Sequence, residues 1–343
     1  MREREALWRA AAQLAARGGA AALATVARRR GSLPMASDAK MLVRPDGFRA
    51  GTIGGGCLEA DVTGQALESV RTGRPAVVRH TLNADVAGDL GLSCGGTVEL
   101  FVEPVIGGPV AASLYDAVAD AIAGRRAAAV FTAIEWTDGP RKAARIEDRV
   151  LCVGDWAEIP AAPTLDRPGP PMTAHDRLFL EPILRRPRLV IFGAGHVGCE
   201  IARAAAGTDF HVVVVDDREE FANRDRLPSA EEVRVADLRR ALDDLVLDGD
   251  DYVIACTRGH AMDALVVERT AASPARYVGM LGSRRKREVI WQALERAGVP
   301  RPALERVKVP IGEAIGADTP AEIGIAVLAE LIRVRRSATQ LAE

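Results

Sequence analysis

The sequence predicts an α/β protein in two parts: a C-terminal doubly wound parallel sheet and an N-terminal mixed α/β domain. Three observations predict this class. Short, continuously apolar segments recur in the second half of the chain, which is typical of strands buried on both faces of a parallel sheet. The first of these segments runs directly into a glycine-rich turn and a helical pattern. A proline-rich stretch separates this half from an N-terminal half with different patterning.

The N-terminal half alternates helical and strand-like patterns. Two short apolar segments flank the turn Pro45-Asp46-Gly47, and this arrangement predicts a hairpin. The first helix is expected to stop at Gly18-Gly19. No internal repeat is apparent. The predicted elements are a helix over 3–17, hairpin strands over 39–43 and 48–50, a helix from about 59 to 73, and strands over 77–82 and 97–103.

A domain boundary is expected near the middle of the chain. Seven of the nineteen prolines lie between Pro160 and Pro187. Proline at this density disfavours both helix interiors and central strands. We therefore expect an extended linker over 157–187, between an N-terminal domain at 1–156 and a C-terminal domain at 188–343.

In the C-terminal half, apolar strands alternate with helical segments. The last helix has a clear predicted start, because Thr319 can cap it, Pro320 suits the first helical position and Glu322 completes a capping box. The predicted strands span 188–192, 211–215, 233–235, 252–256 and 277–280.

Composition excludes several classes of protein. The 343 residues are 48% hydrophobic and 27% charged, which suits a globular protein with real cores. A net charge of −2 argues against a nucleic-acid binder, which normally carries a basic excess. The start of the chain lacks an apolar signal segment, and no stretch is long and apolar enough to span a membrane. Five scattered cysteines favour a reducing cytoplasm over a disulfide framework.

The first candidate site is a glycine fingerprint. Gly193, Gly195 and Gly198 have G-x-G-x-x-G spacing between a predicted strand and a helix, and Asp216 closes the next strand. This context predicts a Rossmann-like site in which backbone N–H groups bind a pyrophosphate and Asp216 accepts from a ribose hydroxyl. A tight turn without a nucleotide is the alternative. His196, inside the loop, either contacts a ligand or caps the helix.

The second candidate site combines glycines with thiols. Gly54, Gly55 and Gly56 precede Cys57 and a helix, which suggests an anion cradle with a thiol at a helix N-terminus. That position lowers a thiol pKa, so Cys57 is a candidate soft-metal ligand, sulfur carrier or nucleophile. A second glycine-flanked thiol is formed by Cys94 and Gly95. Burial as a small hydrophobic residue is the alternative, and it is preferred for three cysteines in apolar contexts: Cys152, Cys199 and Cys256.

Two further loops follow C-terminal strands. His260 and Asp263 lie three residues apart at a helix start, where they either orient a base or serve as a cap and an ion pair. Ser283 and Arg284 open a basic helix that either meets phosphates or is solvated surface.

Taken together, these motifs resemble the XdhC/CoxI family, the accessory factors of xanthine dehydrogenase and related molybdenum hydroxylases. The resemblance covers nearly the whole chain. It is carried by segments in one order: 24–26, 31–34, 51–59, 93–96, 192–198, 216–223, 259–263, 279–286, 310–312 and 319–322.

The resemblance implies a molybdenum-cofactor chaperone. Such a protein binds molybdopterin, supports sulfuration of the metal centre, and inserts the cofactor into an apo-hydroxylase. A cysteine desulfurase and a homodimer are implied as partners, with neither nucleic acid nor membrane involved. Cys57 is then the candidate molybdenum or sulfur ligand. The implied cofactor-binding residues are Gly54, Gly55, Gly56, Cys57, Glu59, Cys94, Gly95, Gly193, Gly195, His196, Gly198, Asp216, His260, Asp263, Ser283 and Arg284.

Two other functions remain open. An NAD(P)-dependent oxidoreductase would use the Rossmann-like half, with His260 and Asp263 near the reacting carbon, but it leaves the glycine-cysteine motifs without a use. A component of the hydroxylase itself would be expected to show the clustered cysteines of iron–sulfur sites, which this sequence lacks. We therefore expect a cofactor-binding maturation factor rather than a catalyst.

Overall fold

The computed structural model describes residues 2–31, 33, 35–82, 96–161, 172–174 and 178–340. The chain divides into two compact units, Met1–Arg185 and Arg186–Glu343. The predicted α/β class is confirmed, and the second unit holds a five-stranded parallel sheet. Within the described ranges, no helix has the length and apolar character needed to cross a bilayer.

The first unit consists of helices and two five-stranded antiparallel sheets. Its elements in chain order are α1 (Arg2–Arg17), β1 (Ala22–Gly31), β2 (Lys40–Val43), β3 (Arg49–Thr52), α2 (Gly56–Thr72), β4 (Ala76–Leu82), β5 (Gly96–Pro104), α3 (Pro109–Ala123), β6 (Ala128–Ala133), β7 (Lys142–Ile146), β8 (Arg149–Val153), β9 (Met172–Ala174) and β10 (Leu178–Ile183).

These two sheets share one strand order, which the sequence did not lead us to expect. One runs β3-β2-β1-β5-β4 and the other β8-β7-β6-β10-β9. Each follows a helix, α1 or α3, and the two helices pack together with Trp8 and Tyr115 at a ring separation of 5.7 Å. The same sequence spacing separates Trp8 from Tyr115 and Thr25 from Thr132. The first unit is therefore an internal structural repeat, and the expectation of no repeat was wrong.

The repeat extends to the side chains between the sheets. In each sheet a lysine, a threonine and a phenylalanine stand side by side on adjacent strands, and the two phenylalanine rings stack at 4.4 Å. Both threonines are almost fully buried. The two rows are Lys40, Thr25 and Phe101 in the first sheet, and Lys142, Thr132 and Phe179 in the second.

Reciprocal ion pairs join the two sheets. The Nζ atom of Lys40 lies 2.8 Å from a carboxylate oxygen of Glu181, and that of Lys142 lies 2.8 Å from one of Glu103. All four side chains are buried, and Arg4 adds a second cation at 3.1 Å from Glu181. Burial opposes ionisation of Glu181, but the neighbouring cations outweigh it and lower its pKa. Such mutual exchange of partners is the pattern of a two-fold interface.

The second unit is the doubly wound part. Its elements are β11 (Arg188–Phe192), α4 (His196–Ala206), β12 (His211–Asp216), β13 (Glu232–Val235), α5 (Leu238–Asp243), β14 (Asp251–Ala255), α6 (His260–Thr270), β15 (Tyr277–Met280), α7 (Arg284–Arg296), α8 (Arg301–Glu305) and α9 (Pro320–Gln340).

Its sheet runs β13-β12-β11-β14-β15, and every pairing is parallel. The central strands are apolar because both faces are covered, with one buried cluster on each side. The predicted start of the last helix is confirmed. Thr319 Oγ1 accepts the N–H of Glu322 at 3.3 Å, and the Glu322 carboxylate accepts that of Thr319 at 2.9 Å.

The region expected as an extended linker contains strands. Both β9 and β10 lie within 157–187, and β10 pairs with β6 as well as β9. Pro182 lies within β10 opposite Ala129 of β6, so a proline that composition assigned to a linker stands in a paired strand. The compact units divide after Arg185, close to the predicted end of the linker.

Candidate functional site

The parallel sheet brings the predicted C-terminal site residues to one edge. Phe192, Val215 and Ala255 lie side by side at the ends of β11, β12 and β14, and Met280 ends β15 beside Ala255. Ligands of doubly wound sheets bind outside the carboxyl ends, where the strand order reverses, which is here between β11 and β14. The loops leaving this edge carry Gly193, Gly195, His196, Gly198, Asp216, His260, Asp263, Ser283 and Arg284.

Two glycines of the fingerprint are required by the backbone itself. Gly193 has a φ of +118°, and a Cβ there would lie 2.3 Å from the carbonyl oxygen of Cys256. A Cβ on Gly198 would lie 1.9 Å from the carbonyl oxygen of Gly193. Because neither glycine has a Cβ, the chain can turn sharply from β11 into α4 against β14, whether or not a ligand is bound.

The third glycine has a different environment. A Cβ on Gly195 would have no described atom within 4 Å, and Gly195 caps α4 without a capping side chain from the described residues. The first N–H groups of α4 therefore border open space, as a phosphate cradle requires. His196 is the first residue of α4 and is exposed, so its side chain is available to a ligand there.

Asp216 is engaged inside the protein. One carboxylate oxygen accepts the N–H and Nε of Arg218 at 3.1 and 2.8 Å. The other accepts the N–H of Ala194 and Nη2 of Arg218 at 2.8 and 2.9 Å. Burial opposes its ionisation, but these bonds prevail and lower the pKa of Asp216. Since a carboxylate offers about four acceptor positions, none is left for the predicted ribose hydroxyl. Asp216 instead fixes the glycine loop.

Sequence reasoning missed an ion pair at this edge. The carboxylate of Asp217 lies 2.8 Å from Nη2 of Arg258, and both side chains are partly exposed. Arg218, whose guanidinium stacks 3.7 Å from the ring of Phe221, lies 3.9 Å from the other Asp217 oxygen. The two adjacent acids Asp216 and Asp217 could have indicated this ion pair. Only one of them can point into the glycine loop, so the other is available to a cation.

The loop after β14 does not form a His–Asp pair. Asp263 is fully buried and accepts from Thr257, through its N–H at 2.9 Å and Oγ1 at 2.7 Å, and from Nζ of Lys286. His260 is exposed at the first position of α6. The hypothesis that Asp263 orients His260 as a base was wrong, because both oxygens of Asp263 brace the loops after β14 and β15 instead.

Ser283 has a capping role. Its Oγ accepts the N–H of Lys286 at 3.2 Å, which makes it the N-cap of α7. Arg284 is the first residue of that helix and is exposed. Arg284 therefore lies at the same sheet edge as Gly195, where its charge is accessible.

In the first unit, the glycine-cysteine loop connects β3 to α2. Gly54, Gly55 and Gly56 all have positive φ, and a Cβ on Gly55 or Gly56 would have no described atom within 4 Å. Cys57 is exposed in the first turn of α2, whose N-cap Gly55 has no capping side chain in the described part of the chain. The loop thus presents the Cys57 thiol on an open surface.

Glu59 organises this loop from within. Its carboxylate accepts from Oγ1 of Thr52 at 2.6 Å and from the N–H groups of Ile53 and Gly55 at 3.2 Å. The Thr52 bond is the main reason that the pKa of Glu59 is lowered, with the two backbone bonds adding to it. The predicted anion cradle therefore already holds one anion, the protein's own carboxylate, so Glu59 positions the loop.

We expect the Glu59→Ala variant to loosen the loop without unfolding the unit. The Ile53 and Gly55 amides lose their charged acceptor, so their hydrogen exchange should accelerate by roughly tenfold. Exchange monitored by NMR measures this directly. Glu68→Ala is the matched control, because the carboxylate of Glu68 on the same helix accepts from the side chain of Arg71, and unchanged Ile53 and Gly55 exchange is expected there. Equal exchange rates in both variants would contradict the role of Glu59.

The other cysteines differ in environment. Cys199 and Cys256 are buried, and burial raises the pKa of the Cys256 thiol. Cys152, expected to be buried, is exposed on β8. Cys94 and Gly95 lie outside the described residues. Among the residues that are described, no group of three or more His, Cys, Asp or Glu side chains is placed to hold a metal ion.

Comparisons with known proteins agree with these two units. The XdhC Rossmann domain family matches residues 189–331, and the XdhC and CoxI family matches residues 14–81. YqeB of Escherichia coli K12 is 27% identical over 318 residues, which cover 92% of this chain and 44% of YqeB. The chain thus spans less than half the length of that relative.

Two relatives have names that state a function. One, from Bacillus subtilis 168, is named as a probable subunit of xanthine dehydrogenase and is 26% identical, covering 92% of this chain and 93% of that protein. The molybdenum cofactor insertion chaperone PaoD of Escherichia coli K12 is 25% identical, covering 93% and 84%.

A solved structure supports the fold over the whole length. It is that of a xanthine dehydrogenase from Bacillus halodurans, with a TM-score of 0.78, 24% identity, and coverage of 99% of this chain and 98% of the other. At this identity the likeness shows the fold alone. Since matching family segments lie in both units and in the order that the motifs predicted, the chain belongs to the XdhC and CoxI family.

Proposed function

We propose that this protein is a maturation factor that binds the molybdenum cofactor as molybdopterin and inserts it into xanthine dehydrogenase or a related molybdenum hydroxylase. The observation that carries the proposal is the open cradle at Gly195 in a chain of this family. The names of the PaoD and Bacillus subtilis relatives support it.

The residues present suit a phosphate-bearing cofactor. In the second unit, the uncapped N-terminus of α4 and exposed His196 and Arg284 offer hydrogen bonds and positive charge to a phosphate. In the first unit, Cys57 offers a soft thiol ligand. When bound, the cofactor supplies the molybdenum centre that the hydroxylase uses, whereas the chain's own residues hold and orient it.

Retention of the cofactor during sulfuration, with a cysteine desulfurase as sulfur donor, completes the proposal, as does assembly as a homodimer. An exposed thiol on a fixed loop suits transient handling of sulfur better than a buried thiol, which is inert. Cys57 satisfies this requirement through its exposure, while Glu59 holds its loop in place.

The test is co-expression with cofactor biosynthesis, followed by measurement of molybdenum and pterin per chain and of activation of an apo-hydroxylase. We expect Cys57→Ala and Gly195→Val each to lose at least about tenfold in activation of the apo-hydroxylase. The first variant removes the thiol, and the second fills the cradle at the start of α4 with a side chain. Cys152→Ala is the matched control for the thiol, since Cys152 is also exposed but lies on β8. Loading and activation by both test variants at the control level would overturn the proposal.

The same preparation tests the nicotinamide alternative. Titration with NAD⁺ and NADP⁺ should give no turnover, because the carboxylate that would bind a ribose is fully engaged with Arg218 and Ala194. Tight nicotinamide binding with turnover, and no pterin or molybdenum, would replace the proposed function with the oxidoreductase.

A further inference from the structure

The Asp217–Arg258 ion pair crosses the mouth of the glycine loop. Asp217 directly follows β12 and Arg258 belongs to the loop after β14, and these strands flank β11 on either side. Adjacent strands lie about 4.8 Å apart, so the pair closes a gap of roughly 9.6 Å over the end of β11. The chain leaves β11 at that point through Gly193 and Gly195 toward α4.

This pair is exposed enough to open. The side chain of Arg258 is 59% exposed and that of Asp217 is 39% exposed. Exposed ion pairs contribute little stability, so exchange of one anionic partner for another has a small cost. An arginine also binds phosphate oxygens well, because its planar group presents several donors at once.

We propose that Arg258 is a phosphate-binding residue that pairs with Asp217 until a phosphate binds at the cradle. We call the Asp217–Arg258 ion pair the latch. A phosphate arriving at Gly195 displaces the Asp217 carboxylate and takes Arg258 as its counter-ion. This inference rests on the proposed function, since it requires a phosphate-bearing ligand at the glycine loop.

Asp217 can release Arg258 without becoming an uncompensated charge. Nε of Arg218 lies 3.9 Å from the second oxygen of Asp217. Arg218 stays in place because Asp216 binds it through two side-chain hydrogen bonds and the Phe221 ring supports its face. Asp217 therefore keeps one cation within 4 Å after Arg258 has turned to a phosphate, although it shares that cation with Asp216.

Substitution of the two latch residues should change the affinity for pyrophosphate in opposite directions. In titrations of the full chain with inorganic pyrophosphate, followed by calorimetry at low salt, Arg258→Gln should weaken binding by about tenfold, since a charge-assisted contact is lost. Asp217→Asn should tighten binding by roughly twofold to fivefold, because the competitor for Arg258 is removed. A merely structural ion pair predicts that both variants change affinity in the same direction.

Two controls separate the latch from the cradle itself. Arg269→Gln breaks the exposed Arg269–Asp243 pair of the same unit, which also measures 2.8 Å, and should leave affinity unchanged. Gly195→Val should abolish pyrophosphate binding. Loss in Gly195→Val together with changes of the same sign, or no change, at Asp217 and Arg258 would overturn the latch and leave the cradle standing. No pyrophosphate binding by the unaltered chain would overturn both.

Discussion

Lys142→Met should lose about 3–5 kcal/mol of unfolding free energy, because it leaves Glu103 as a buried charge without its ion-pair partner. Both side chains are 1% exposed, and Nζ of Lys142 also donates to Oγ1 of Thr132 at 2.6 Å. The second oxygen of Glu103 already lacks a partner among the described residues. Chemical denaturation followed by far-UV circular dichroism measures the loss.

A second variant identifies the cause. Lys142→Met combined with Glu103→Leu removes both charges and should recover much of the stability, because paired burial of charge is close to neutral overall. Arg79→Met is the control: it breaks an Arg79–Glu99 pair of 2.7 Å whose arginine is 65% exposed, so we expect a change of at most about 1 kcal/mol. A double variant as unstable as the single one would show that packing, rather than charge, holds the two sheets.

Gly198→Ala should unfold or severely destabilise the second unit, by at least about 3 kcal/mol. A Cβ would lie 1.9 Å from the carbonyl oxygen of Gly193, and that backbone is itself confined by Cys256. The neighbouring change Gly195→Ala is the matched control, because its Cβ meets no described atom within 4 Å and its φ of −67° suits alanine. Thermal unfolding of both variants gives the comparison. Equal midpoints would mean that α4 can move away from β11.

The second unit could be predicted from the sequence almost element by element. Strands buried on both faces must be apolar throughout, and the glycines at 193 and 198 mark a turn that no other residue permits. The candidate site was predicted less fully. Asp216 and Asp263 were correctly placed at the sheet edge, but one hydrogen-bond partner of each, Ala194 and Lys286, comes from another loop, and no spacing in the sequence reveals it.

The first unit shows why other features escaped prediction. Its repeat is preserved in strand order and in a few buried side chains, and even the equivalent buried aromatic residues differ in identity, with Trp8 on α1 and Tyr115 on α3. The proline-rich stretch predicts a linker because composition does not show which prolines a strand contains. Pro182 lies within β10, opposite Ala129 of β6.

The differences between the two halves of the first unit also bear on how many ligands one chain binds through Cys57. Two equal halves would carry two equal thiol loops, but the chain after β8 reads Gly154-Asp155-Trp156 where the chain after β3 carries its glycines and Cys57. There, Nε1 of Trp156 donates to the carbonyl oxygen of Val153 at 3.1 Å, which ties that loop to its own strand. In the described part of the chain the thiol loop therefore occurs once, and a ligand held through Cys57 saturates at one equivalent per chain instead of two.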